Sequence, residues 1–320
     1  MLALKYAKLA RLSPGDGTME KQKWPNTFVT EDKHTKHYPG SHWEPFFDGG
    51  VEELFSRLRD YLQNSRQVTA YADLLPAPRP APSTWLQAVY RAWPDHQAGM
   101  QFAVVRNKGV NEVKAFFPFT RQGTQYSVVI DRVVVFDNGI EAQLEVSLEG
   151  IPLIFFDFLY ATNRAWYEAG ETYQFILTGI AYECYRAENE PINLDPPPEW
   201  LRELRLKGKS GESGKEPDDP MIVHVDGMAS FLTIETWDRD DYSFHGPVRE
   251  IKKVEILDQQ AWLLKTTIIR DVESGQDIDL DILVTRRVWG DQPLPEIGRD
   301  IEGALWLQGH LWHPGPVEME

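Results

Sequence analysis

One cysteine, Cys184, is all the 320-residue sequence contains. That excludes an internal disulfide framework and any zinc site built on several thiolates. Its place in an apolar alternating run reads as a small buried hydrophobe, not a reactive thiol. Long hydrophobic runs are also missing. None approaches the ~20 apolar residues that a spanning helix needs, and the longest, "IPLIFF" through "FLYA", is broken by Asp157. No membrane partner is expected. Basic charge is scarce as well, with 33 Lys+Arg against 49 Asp+Glu and a net charge of −16. From Pro217 onward there are 21 acidic and 9 basic residues. Such a field repels polyanions at long range, which disfavours bulk electrostatic binding of nucleic acid. The opening "MLALKYAKLARLSPGDG" lacks the continuous apolar core of a secretory signal, and Met19 offers a second start. Cytoplasmic residence is the resulting expectation.

What the chain has is aromatic material: 11 Trp, 12 Tyr and 15 Phe within a hydrophobic content of 42%. That suits strands and recognition surfaces, and the length favours two domains. Residues 1–48 read as an irregular N-terminal tail, and 49–98 as a helical element. In the latter, Val51, Leu54, Phe55, Leu58, Tyr61 and Leu62 share one helical face. After the proline-rich connector "LLPAPRPAPS", Ser83 can cap a second helix, "TWLQAVYRAW", ended by Pro94. From residue 99 to 191 the hydrophobic period becomes two, with "FDNG" as the strongest hairpin signal. Residues 192–220 read as a linker, and 221–320 resume the strand pattern.

The closing runs of the two strand-rich segments are alike. "YEAGETYQFILTGIAYEC" (167–184) and "PEIGRDIEGALWLQGHLW" (295–312) each carry a glycine-led start, an alternating strand and a Leu-x-Gly step, Leu177/Gly179 and Leu307/Gly309. Before each come three strands and a non-strand insert. The chain therefore reads as two diverged copies of one β-module. Three strands, an insert and a closing strand pair resemble the order of the OB-fold, a small five-stranded barrel. The expected fold is thus mainly β, with a helical N-terminal element and two tandem OB-like modules. A β-sandwich or SH3-like barrels would produce nearly the same string of strands.

Candidate chemistry is sparse. His34, His37 and His42 fall within nine residues, but turn residues around them give no fixed metal geometry. "GKSGESGK" fails the phosphate-loop spacing and puts Glu216 where a hydroxyl residue belongs, so it reads as linker. Asp157 in an apolar run reads as a residue capping a following helical turn. Asp277, Asp279 and Asp281 project from one side of a strand as an acidic face. Trp237, Tyr242, Phe244 and His245 in "WDRDDYSFHG" have the composition of a binding loop, and Trp306 and His310 are placed near a barrel rim. No catalytic residue, metal ligand or cofactor is expected. The function these features imply is non-catalytic: a binding or adaptor protein whose loops and aromatic rims take a protein partner. Alternatives are single-stranded nucleic-acid binding by the first module, using "RNKGVNEVK", Arg121 and Arg132, and an acidic nucleic-acid mimic or immunity-type inhibitor. A metal-dependent enzyme using the histidines or the aspartate row is the remaining class.

Overall fold

The computed structural model describes residues 27–28, 41–75, 85–107, 109–207, 210, 214–270 and 277–313. Among the described residues the fold is mainly β, 52% strand and 16% helix, with a helix near the N-terminus and several sheets. In chain order the elements are β1 (Thr27–Phe28), a 3-10 turn (Ser41–Trp43), α1 (Gly50–Asn64), β2 (Arg66–Gln67), β3 (Ala88–Pro94), β4 (Ala98–Asn107) and β5 (Val110–Thr120). Then come β6 (Thr124–Val135), β7 (Ala142–Leu148), β8 (Ile151–Asp157), α2 (Tyr160–Asn163), β9 (Thr172–Arg186), β10 (Ile192–Leu194) and α3 (Glu199–Leu206). The remainder is β11 (Met221–Val223), β12 (Ser230–Thr233), β13 (Asp241–Ile256), β14 (Gln259–Arg270), β15 (Asp277–Thr285), α4 (Arg286–Trp289) and β16 (Asp300–His313).

The large sheet closes on itself twice. β6, β7 and β8 form a meander, β8 runs parallel to β16, β16 pairs with β9, and β9 returns to β6. β13, β14 and β15 form a second meander, β15 runs parallel to β9, and β16 returns from β9 to β13. Each ring therefore has five strands, one of them contributed by the other half of the chain. The central pair β9–β16 belongs to both. Its register explains the repeated Leu-x-Gly step: Leu177 pairs with Gly309, Gly179 with Leu307, and Thr178 with Gln308 at the midpoint. The side chains that fill the rings, among them Val128, Phe155, Phe175, Leu264, Ile282 and Leu305, are fully buried.

Strands β2 to β5 form a separate four-stranded sheet, although the sequence placed residues 99–120 with the first module. This sheet packs on the outside of the rings through a second apolar cluster that includes Phe102, Phe117, Phe119, Phe156, Phe158, Leu283 and Trp306. Helix α1 covers it, with Leu54 fully buried and Tyr61 stacked on Trp93 at 3.9 Å. The second expected helix is not formed. Residues 88–94 are β3, hydrogen-bonded between β2 and β4. Tyr90 and Ala92 point inward while Val89 is exposed. In so short a run the periods of 3.6 and 2 are both satisfied, and the aromatic and β-branched residues favour the pleated surface. The proline-rich connector and "GKSGESGK" lie largely outside the described residues. Among the described residues no helix is long and apolar enough to cross a membrane.

Candidate functional site

The loop between β12 and β13 is held by a dense set of polar contacts. It is closed by Ile234 N–H donating to the Asp241 carbonyl at 3.1 Å, Trp237 N–H to Ile234 at 3.0 Å, and Asp241 N–H to Asp238 at 3.0 Å. Two consecutive carboxylates anchor it from beneath. Asp240, 2% exposed, accepts from the Gln143 amide at 2.7 Å and from the Trp306 indole N–H at 3.0 Å. Its backbone carbonyl accepts from Leu307 N–H at 2.9 Å. Asp241, 5% exposed, accepts from the Tyr182 hydroxyl at 2.8 Å and from Asp238 N–H at 3.1 Å. The loop is thus tied to β7, β9 and β16 at once. Arg239 binds Glu145, which also accepts from Arg132 Nε at 2.7 Å. Burial pushes the Glu145 carboxyl upward, and the two guanidinium groups outweigh it and hold the group below its ordinary value. On this rigid base Trp237 stands 40% exposed, its ring edge-on to Tyr182 at 5.7 Å.

Of the six aromatic and histidine residues singled out as a binding surface, Trp237 is the one that stands open to solvent. Tyr242 and Phe244 are not in a loop. They begin β13, paired on both sides, and are buried in the ring. Tyr242 stacks on Phe231 at 4.2 Å, and its hydroxyl bonds both backbone groups of Ile154. Their i, i+2 spacing was the strand signal. His245 lies on the opposite face, half-buried, with Nδ1 3.2 Å from Glu302 and Nε2 3.8 Å from Asp300. Trp306 is not at a rim: it is fully buried, with the His42 ring stacked on it at 3.8 Å. His310 is also buried, against Phe158 at 5.0 Å. Burial, reinforced by the Arg121 charge, lowers its pKa to about 3.

The acidic face keeps the alternation read from the sequence, with Ile278, Leu280 and Ile282 buried beneath it. Its carboxylates are engaged, however. Asp277 pairs with Arg249 at 2.8 Å, Asp279 accepts from Thr267 at 2.7 Å, and Asp281 accepts from Thr124 at 3.0 Å. Three of the cations proposed for nucleic acid are similarly occupied: Arg132 by Glu145, Arg121 by the Thr69 carbonyl at 2.8 Å, and Lys114 by Glu112 at 2.7 Å. Asp157 sits just before α2 and accepts from Leu159 N–H at 2.9 Å and the Tyr167 hydroxyl at 2.5 Å. Burial raises its pKa to about 7. It fixes the turn into the helix without capping it, because the cap position is Leu159. His34 and His37 lie outside the described residues. Among the described residues no group of three His, Cys, Asp or Glu is placed to hold a metal ion.

Sequence reasoning named the stretch containing Asp240 and Asp241 but missed their role, and it missed Tyr182 and Gln143 altogether. Gln143 and Asp240 are 97 positions apart, so no local pattern announces their contact. Two open clefts of about 370 and 620 Å³ adjoin at Phe47, Asp48 and Arg287. Comparison with protein-family models, with curated proteins and with solved structures finds no match.

Proposed function

We propose that the chain is a non-catalytic binding protein that takes a protein partner through the Trp237 loop. The observation that carries this reading is an exposed tryptophan on a loop whose backbone is fixed by two buried carboxylates. Tryptophan is enriched among the residues that dominate protein interfaces, and a preorganised loop loses little entropy on binding. On this reading each five-stranded ring is an OB-like module. Support comes from the order of a three-stranded meander, a one-turn helix (α2 or α4) and two closing strands. The modules differ from independent beads in sharing strands β9 and β16, so the loop is held jointly by both halves of the chain.

The test is affinity capture from cells that make the protein, with wild-type and Trp237→Ala baits compared quantitatively. The expected outcome is a partner protein depleted roughly tenfold or more on the variant, while its thermal unfolding midpoint stays near that of wild type. Equal recovery on both baits overturns the proposal, as does retention of an oligo(dT) probe by the wild type at low salt.

A further inference from the structure

We propose that His245, Asp300 and Asn189 bind a single zinc-type divalent metal ion, which clasps the root of the segment joining the two halves of the chain. The inference goes beyond the binding reading and uses no residue of the Trp237 loop.

The geometry carries it in three steps. First, the His245 ring has its tautomer set by a carboxylate. Nδ1 lies 3.2 Å from Glu302 Oε2. A carboxylate only accepts, so Nδ1 carries the ring proton and Nε2 presents a lone pair. Nε2 is shut off from solvent and has no hydrogen-bond partner among the described residues. It lies 3.8 Å from Asp300 Oδ2, beyond hydrogen-bond reach. Two acceptors facing each other with no proton between them repel, and a cation shared by both residues turns that repulsion into two bonds. Second, Asp300 is 5% exposed, and its Oδ2 accepts from the Asn189 amide at 2.8 Å and from Gly227 N–H at 2.6 Å. Its Oδ1 is buried with no partner among the described residues, and so is Asn189 Oδ1. A buried acceptor left without a donor bears its full desolvation penalty. An imidazole nitrogen, a carboxylate oxygen and an amide oxygen are thus unsatisfied on residues that adjoin one another. The nitrogen suits zinc and its first-row neighbours, and oxygen donors with water fill the remaining positions. Glu302 serves the ring rather than the ion, so the site holds two ionisable ligands and an amide, not a triad. A carboxylate on the far nitrogen is the usual support of a metal-ligating histidine.

Third, the three residues meet where the chain leaves one half and enters the other. Asn189 follows β9, Gly227 precedes β12, His245 lies on β13 and Asp300 opens β16. The Asp300 carbonyl also accepts from Ala187 N–H at 3.0 Å. The segment between β9 and β12 therefore departs and returns through one aspartate. An ion held by Asp300, Asn189 and His245 ties that root to β13 as well as to β16. His245 and Glu302 are partly open to solvent, which gives an ion a way in. The net charge of −16 draws cations toward the molecule.

The test uses the full untagged chain, freed of metal by dialysis against a chelator, with Zn²⁺ as the probe. Calorimetric titration should show uptake of Zn²⁺ that depends on His245. His245→Gln should weaken that uptake about tenfold or more. Glu302→Gln leaves the ligands in place and removes the carboxylate that orients the ring, and it should weaken uptake by a similar factor. Because Glu302 is partly exposed, this variant keeps the test open if His245→Gln does not fold. In the ¹⁵N imidazole spectrum, Zn²⁺ should move the Nε2 line of the ring that His245→Gln removes, while Nδ1 stays protonated. A wild type that takes up no Zn²⁺ overturns the site, as does undiminished uptake by either variant or a His245 Nε2 line that does not respond. No readout involves a partner protein or Trp237, so the metal site and the binding reading fail separately.

Discussion

At the scale of single residues, the glycines of the shared strands decide how closely β9 and β16 approach. A Cβ on Gly309 would lie 2.7 Å from Leu177 Cδ2 and 2.9 Å from a Phe155 ring carbon. One on Gly179 would meet Leu305 Cδ2 at 2.7 Å. These neighbours are side chains and can rotate. Gly303 is different, because its Cβ would meet the Glu183 carbonyl oxygen at 2.0 Å, a backbone atom held in the sheet. Overpacking a filled core costs about 1–3 kcal/mol. Gly309→Ala should therefore fall within that range, and Gly303→Ala should exceed it, because the strand itself must shift. Urea denaturation of the two variants checks the order. Equal losses would show that the shared pair is more deformable than its register implies. The Leu-x-Gly repeat was legible in the sequence because each glycine pairs with a leucine of the other strand, Gly309 with Leu177 and Gly179 with Leu307.

At the scale of elements, legibility followed burial on one side. The first half of β15 buries alternate residues, Ile278, Leu280 and Ile282, and its period of two was plain. β3 was misread as a helix because its identity depends on pairing with β2 and β4 rather than on its own seven residues. The seam where the four-stranded sheet meets the rings was invisible for the same reason. There Gln308 reaches the Pro118 carbonyl at 3.1 Å, Gln101 the Phe158 carbonyl, and Thr178 the Gln122 carbonyl. His310 lies beside this seam with its pKa depressed to about 3. Its unfolded value near 6.5 means that the unfolded chain binds the extra proton more readily. The stability His310 contributes is complete above about pH 6.5 and is lost as pH falls toward 3. Asp157, raised to about 7, acts in the opposite direction over part of that window, so the wild-type profile mixes both effects. The difference between wild type and His310→Gln isolates the imidazole. Below pH 6.5 the wild type should lose stability relative to the variant by up to about 1.4 kcal/mol per pH unit. Urea unfolding at several pH values between 7 and about 4 measures it, and parallel profiles would mean that the ring takes up its proton without moving the seam.

At the scale of the whole molecule, the sharing of β9 and β16 makes the two halves complete each other. β9 runs antiparallel to β16 from Thr178–Gln308 outward in both directions, and parallel pairings to β15 and β8 lock each strand into the other half's ring. This interface buries Leu177, Ile180, Ala181, Leu305, Trp306 and Leu307, and it leaves neither half with a closed sheet of its own. A linker joining such halves raises their effective concentration but makes none of these contacts. A protease site placed between Lys207 and Gly214 and cut after folding should therefore leave one particle. The two polypeptides should co-elute at the volume of the intact chain and part only in denaturant. Separation of the fragments under native conditions would mean that the covalent linker, rather than the shared strand pair, holds the Trp237 loop to its anchors on β7, β9 and β16.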